Sequence, residues 1–122
     1  MATVRYLVDD VDAVLPFYTA LGFTLVRRWG PPFAQLAQGD LQLWLSGPGS
    51  SAARPLADGR QPAAGGWNRI VVPVEAIEAT VANLRALGLS VSEQVVAGPG
   101  GRQILVHDPS GNPLELFEAA GD

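Results

Sequence analysis

The chain contains no cysteine and no lysine, and only one histidine, His107. Without cysteine there are no disulfides, no thiol nucleophile and no thiolate metal site. Without lysine there is neither Schiff-base chemistry nor a phosphate-binding P-loop; all eight basic residues are arginine. Positive charge is in the minority, and a net charge of −4 over 122 residues argues against nucleic acid or an anionic lipid surface as partner, since both recruit basic faces. No run approaches the roughly 20 apolar residues of a membrane span. The opening MATVRYLVDD lacks the basic start and apolar stretch of a secretory signal. The expectation is a cytoplasmic protein with no membrane and no nucleic-acid partner. An apolar content of 48% with 16% charged residues suits one domain, long enough to bury a core and too short for two.

What is present is a pattern used twice. Residues 3–25 read TVRYLVDDVDAVLPFYTALGFTL and residues 69–91 read RIVVPVEAIEATVANLRALGLSV, aligned at an offset of 66 positions with five identities. Identity this low carries little, but the hydrophobic period and the turn residues agree, with Ala20-Leu21-Gly22-Phe23 against Ala86-Leu87-Gly88-Leu89. A second pair closes each copy, Gly39-Asp40-Leu41-Gln42-Leu43 against Gly111-Asn112-Pro113-Leu114-Glu115.

Each copy has the same order of elements. Val4, Tyr6 and Val8 alternate with Thr3, Arg5 and Leu7 as in a half-buried strand. Asp9, Asp10 and Asp12 supply cap and first-turn acids for a helix of about ten residues, striped by Val14, Phe17, Tyr18 and Leu21. Pro16, tolerable only near a first turn, places the start of that helix late. Gly22 stands where a left-handed C-terminal residue belongs. Strands are expected around 23–29, 33–38 and 41–46. Residues 47–66, with five Gly and three Pro, read as a flexible loop. The pattern restarts with a strand through Ile70, Val72 and Val74, a helix striped by Ile77, Val81 and Leu84, and strands near 89–96, 102–107 and 113–118. This defines one α+β domain: module one over 1–46, the loop, and module two over 67–119. A four-stranded sheet with one helix is covered on one face only, leaving the concave face open to a ligand.

Phe17-Tyr18 followed by Leu21-Gly22-Phe23, together with Asp108-Pro109-Ser110-Gly111-Asn112-Pro113-Leu114-Glu115-Leu116, resembles the vicinal oxygen chelate superfamily. That group includes glyoxalase I, bleomycin-resistance proteins, fosfomycin-resistance enzymes and extradiol dioxygenases. The resemblance implies two tandem βαβββ modules whose mixed sheets curl into a cup, commonly completed in a homodimer. In metal-dependent members it also implies a divalent ion held by His, Gln or Glu at four places, on the first and last strands of each module. The internal register sets Thr3, Leu43, Arg69 and Glu115 at those places.

A hydroxyl, an aliphatic chain, a guanidinium and one carboxylate do not make a ligand set for Mg²⁺, Mn²⁺, Zn²⁺ or Fe²⁺, and the charge on Arg69 would repel a cation. A slip of one residue offers Gln42 instead. No cofactor is therefore expected. If Arg69 and Glu115 both face the cup, they are placed to pair, either as a binding element or as a salt bridge linking strands. Arg5 shares the parity of Thr3 and adds a second cation. Trp67 shares the parity of Arg69 and is expected at the rim, where its ring would stack on a planar ligand. Trp44, one step from Leu43, is expected in the helix-covered core, and Trp29 and Phe33 at the mouth or in a dimer contact. The ligand-binding set is thus Arg69, Arg5, Thr3, Leu43, Trp67 and Glu115, with no metal residue. Glu115 and His107 are the acid–base candidates if the protein is an enzyme.

Two functional readings follow. One is a metal-free small-molecule binding protein of the glyoxalase/bleomycin-resistance type, a homodimer whose cups favour an acidic or aromatic ligand. The alternative is a glyoxalase-like lyase, isomerase or dioxygenase acting on a small oxygenated metabolite with a divalent metal. A scaffold without its own ligand is the third and blandest possibility.

Overall fold

The computed structural model describes residues 1–121. Module one runs β1 (Ala2–Leu7), α1 (Val11–Ala20), β2 (Thr24–Trp29), β3 (Phe33–Gln38) and β4 (Leu41–Ser46); module two runs β5 (Ile70–Pro73), α2 (Ile77–Ala86), β6 (Val96–Gly98), β7 (Gly101–His107) and β8 (Pro113–Ala119). Each forms a mixed four-stranded sheet, in the orders β1-β4-β3-β2 and β5-β8-β7-β6. The first and last strands of each module pair in parallel, and the other pairs are antiparallel. The α+β architecture of paired βαβββ modules is present. Among the described residues no helix is long and apolar enough to cross a membrane.

Two elements depart from expectation. Helix α1 begins at Val11, so Pro16 lies inside it. The Asp10 carboxylate caps it, accepting from the Asp12 and Ala13 amides at 2.9 and 3.4 Å. The hydrogen bond that proline cannot donate would have gone to Asp12, and both residues lie on the solvent face. The freed carbonyl is therefore left facing water. In module two the strand expected near 89–96 does not form over 89–95, and a three-residue strand, Val96–Gly98, pairs with β7 instead. Leu89 and Val91 still pack on the core, but the chain there leaves the edge of β7.

Gly22 closes α1 with φ +95°, and an added Cβ would stand 2.7 Å from Gln38 Nε2. That amide donates to the Leu21 carbonyl at 2.8 Å, so the glycine permits both the backbone turn and the side-chain cap. Helix α2 lacks a capping side chain at Ala76. Instead Glu118, from β8, accepts from the Ile77 amide at 3.0 Å. Arg102 of β7 bridges Glu118 and Glu78 at 2.8 and 2.6 Å. These contacts hold both carboxyls below the usual glutamate range: Glu118 chiefly through the Ile77 amide, Glu78 chiefly through Arg102.

The register decides which side chains reach the concave faces. In module one Arg5 lies opposite Trp44 and Val4 opposite Leu43; in module two Val71 lies opposite Glu115 and Ile70 opposite Leu114. Trp44, rather than Leu43, is therefore the counterpart of Glu115. Alignment on Gly39 and Gly111 misleads because the turns differ. Only Gly39 and Asp40 separate β3 from β4, whereas residues 108–112 separate β7 from β8. A one-residue error in register moves a side chain to the opposite face. Leu43 is fully buried with Leu36 and Leu45 beneath α1, and Trp44 stands on the concave side.

The modules join through polar contacts of high sequence separation. Tyr6 of β1 donates from its hydroxyl to the Pro113 carbonyl (3.0 Å) and accepts from the Ile70 amide (3.1 Å). Asp108, buried at 4% exposure, accepts from the Tyr18 hydroxyl at 2.6 Å and from the Ser110 and Asn112 amides at 2.8 and 3.0 Å. Burial first, and then the Asp108 charge, push the Tyr18 phenol far above its ordinary range, so it stays a donor. The buried Asn112 donates to the Leu7 carbonyl at 2.7 Å and accepts from the Gly65 amide at 2.9 Å. The closing turn of module two is thus fastened to β1, to α1 and to the end of the loop.

Candidate functional site

On the second sheet the concave face carries Glu115, whose side chain is 12% exposed, and Arg69 just before β5. The guanidinium places Nε 3.1 Å from Glu115 Oε1 and a terminal nitrogen 3.1 Å from the same oxygen. Oε2 has no protein donor among the described residues, and the remaining guanidinium donors are likewise available. A paired carboxylate with one open oxygen can accept a hydrogen bond while the adjacent guanidinium meets an acidic or carbonyl oxygen. Opposite Glu115 on β7 is Leu105, and two residues further along the same face is His107. The imidazole is exposed at the strand end, and among the described residues no hydrogen bond joins it to Glu115.

The first sheet presents a different surface. Trp29, Phe33 and Trp44 form a ladder with ring centroids 5.2 and 5.8 Å apart and planes inclined at 53° and 73°. Arg5 lies over the Trp44 ring and Arg27 over the Trp29 ring, each 5.1 Å from the centroid. A bulge between Leu25 and Arg27 creates this arrangement. Before it, Leu25 pairs with buried Leu36; after it, Arg27 and Trp29 pair with concave-side Gln35 and Phe33. Periodicity alone could not show that shift, and the one sequence cue is the Gly30-Pro31-Pro32 turn beside it. Below the ladder, Gln35 donates to Gln42 at 3.2 Å, and Gln42 lies opposite Thr3.

Of the sequence-expected residues, Arg69, Glu115, Arg5 and Thr3 therefore share the concave side, and Leu43 does not. Trp67 is 82% exposed and borders a cavity of about 230 Å³ that also contacts Arg5, Tyr6 and Asn112. Trp44 is corrected from core to concave face, because its neighbours Leu43 and Leu45 take the core positions.

The metal positions can now be tested against the side chains that reach them. With the register corrected they are Thr3, Trp44, Arg69 and Glu115. An indole cannot ligate, the arginine already holds the one carboxylate, and the remaining donor is an exposed hydroxyl. Among the described residues no three His, Asp or Glu side chains cluster in a way that could hold an ion. This donor set does not fit a divalent metal.

Two curled sheets, each backed by one helix and lined on its free face by polar and aromatic side chains, define the paired-βαβββ class. The family model of the glyoxalase/bleomycin resistance protein/dioxygenase superfamily matches residues 1–116, and the chain belongs to that superfamily. Lactoylglutathione lyase from Agrobacterium tumefaciens superposes with a TM-score of 0.68 at 22% identity, over 97% of this chain and 92% of that one. The antibiotic-binding protein TnmS3 of a Streptomyces species gives 0.72 at 22% identity, over 97% and 93%. A bleomycin resistance determinant encoded on transposon Tn5 gives 0.67 at 23% identity, over 99% and 98%. At such identities these likenesses speak to fold alone. No curated protein sequence matches the chain.

Proposed function

We propose that this protein binds a small acidic or aromatic molecule on its concave surfaces and does so without a metal. The observation that carries the reading is the Arg69–Glu115 pair, which occupies two of the four positions where metal-dependent relatives would hold an ion. The pair leaves guanidinium donors and one carboxylate oxygen without a protein partner among the described residues, which suits a recognition element rather than a coordination shell. The occurrence of an antibiotic-binding protein and a bleomycin resistance determinant among structures of the same fold is compatible with it. A homodimer belongs to the same reading. Exposed Leu25 and Val26 on β2, and Val95 and Val96 at β6, leave apolar surface at both outer edges of the molecule.

Elemental mass spectrometry on protein purified without chelators is the first check, expected to find no stoichiometric transition metal. One metal per chain would overturn the reading and favour the lyase, isomerase or dioxygenase alternative. A ligand screen by protein-observed NMR in excess EDTA is expected to find small acids that perturb both concave faces. Arg69→Ala should weaken such binding by roughly tenfold, the loss of one charge-assisted contact, and unchanged affinity would remove the second sheet from the site. Light scattering on the purified chain tests the dimer.

A further inference from the structure

The ion pair on the second sheet is compensated, whereas the first sheet carries cations that are not. Of the eight arginines, five have an acidic side chain or a backbone carbonyl as partner. Arg5, Arg27 and, in the loop, Arg54 have none among the described residues, although the chain is acidic overall. Arg5 and Arg27 instead each lie over a tryptophan at one end of the Trp29–Phe33–Trp44 ladder, 5.1 Å from the ring centroid. A guanidinium held over a ring face by cation–π attraction keeps N–H donors free for a further acceptor. Two further groups on the same face lack a protein partner: Trp44 Nε1 and Ser46 Oγ are buried and unbonded. A buried donor or acceptor without a partner is unfavourable. The ladder steps across three strands with inclined rings, so it offers edges and partial faces over a broad front instead of one flat platform.

We infer that the concave face of the first sheet is a subsite for an anionic aromatic ligand, with the ring system against Trp29, Phe33 and Trp44 and the acid group held by Arg5 or Arg27. This rests on the binding reading above and narrows it to one chemical class and one module. Attraction between the fixed guanidiniums and the acid group gives salt-sensitive affinity, and the ladder supplies aromatic contact that a saturated ring cannot match.

The probe is naphthalene-2-sulfonate, which stays ionised at every working pH, titrated calorimetrically alongside neutral naphthalene-2-sulfonamide and saturated cyclohexanesulfonate. The naphthalenesulfonate is expected to bind best, at least tenfold more tightly than either comparison compound, and to weaken as salt rises. Arg5→Gln and Arg27→Gln should each weaken it roughly five- to tenfold, the scale of one charge-assisted contact. Arg85→Gln, an equal change of net charge on the helical side, should leave it within twofold. The circular dichroism spectrum of every variant is recorded, and Trp29→Leu, at an exposed edge position, tests the ladder without disturbing the core. Equal binding of the sulfonamide, equal loss in Arg85→Gln, or no binding of naphthalenesulfonate would overturn the inference. Probe binding that survives in the Arg5 and Arg27 variants but is lost in Arg69→Ala would overturn it too, while leaving the broader binding reading intact.

Discussion

The two modules share a topology and differ in almost every polar contact that completes it. Module one caps its helix from within, with Asp10; module two leaves Ala76 uncapped and borrows Glu118 from the opposite end of its sequence. Each helix is also tied to its sheet through a first-turn acid. Asp12 receives Arg28 from β2 at 2.8 Å, and its repeat counterpart Glu78 receives Arg102 from β7. The donor changes strand because β6 is too short to carry an equivalent of Arg28. The concave faces diverge most: aromatic rings with unpaired arginines on one, a carboxylate–guanidinium pair on the other. The backbone plan and the apolar positions that face the helix are retained in both copies, and the opposite face is where chemistry has varied. A fold that buries one face of each sheet leaves the other free to change at little cost to stability.

That contrast is open to direct attack, most severely through the register on which it depends. Leu43→Ala should cost about 2–5 kcal/mol of unfolding free energy, as for any fully buried leucine, and Gln42→Ala no more than about 0.5 kcal/mol. Both are read from urea denaturation. The reverse order would return Leu43 to the concave face and remove Trp44 from it. Next in size is the joint between modules. Tyr18→Phe leaves the buried Asp108 carboxylate short of one donor, and the loss should be about 1–3 kcal/mol; no change in the urea midpoint would mean the joint is held elsewhere.

Smaller effects separate the two capping schemes. Asp10→Ala should cost about 1 kcal/mol. Glu118→Gln and Glu78→Gln are both read through pH. Both carboxyls titrate lower in the folded chain than the ordinary glutamate value of 4.5. Their stabilising contribution is therefore present in full above that value and lost as pH falls through the folded value. In the wild type the thermal midpoint should fall as the solution is acidified below about 4.5, and either substitution should flatten that dependence. A wild-type slope retained in the Glu118→Gln, Glu78→Gln double variant would place the acid sensitivity in other groups.

Much of the fold was legible before any coordinates. The alternation of Val4, Tyr6 and Val8, the helical stripes, and Gly22 and Gly88 mark the elements because burial and left-handed backbone constrain residue type locally. The arginine at position 69, a residue that cannot ligate in any register, was legible too. Three features were not. Pro16 pointed to a late helix start, but its effect depends on whether the freed carbonyl faces water. The strand through 89–96 looked apolar enough, yet Val95 and Val96 are exposed and only three residues pair. The bulge at Val26, which brings Arg27 and Trp29 onto the ladder, has no periodic signature at all.

By itself, then, the sequence determined what depends on neighbours along the chain: two repeats, their strand–helix–strand order, the apolar set for one core and the absence of lysine and thiol chemistry. Only the tertiary structure decided which of two adjacent residues faces the cup. Parity in a strand is relative, and it becomes absolute only when a turn of definite length and a partner strand set the register. The concave faces, with the Arg69–Glu115 pair on one sheet and the tryptophan–arginine ladder on the other, are consequences of that long-range choice.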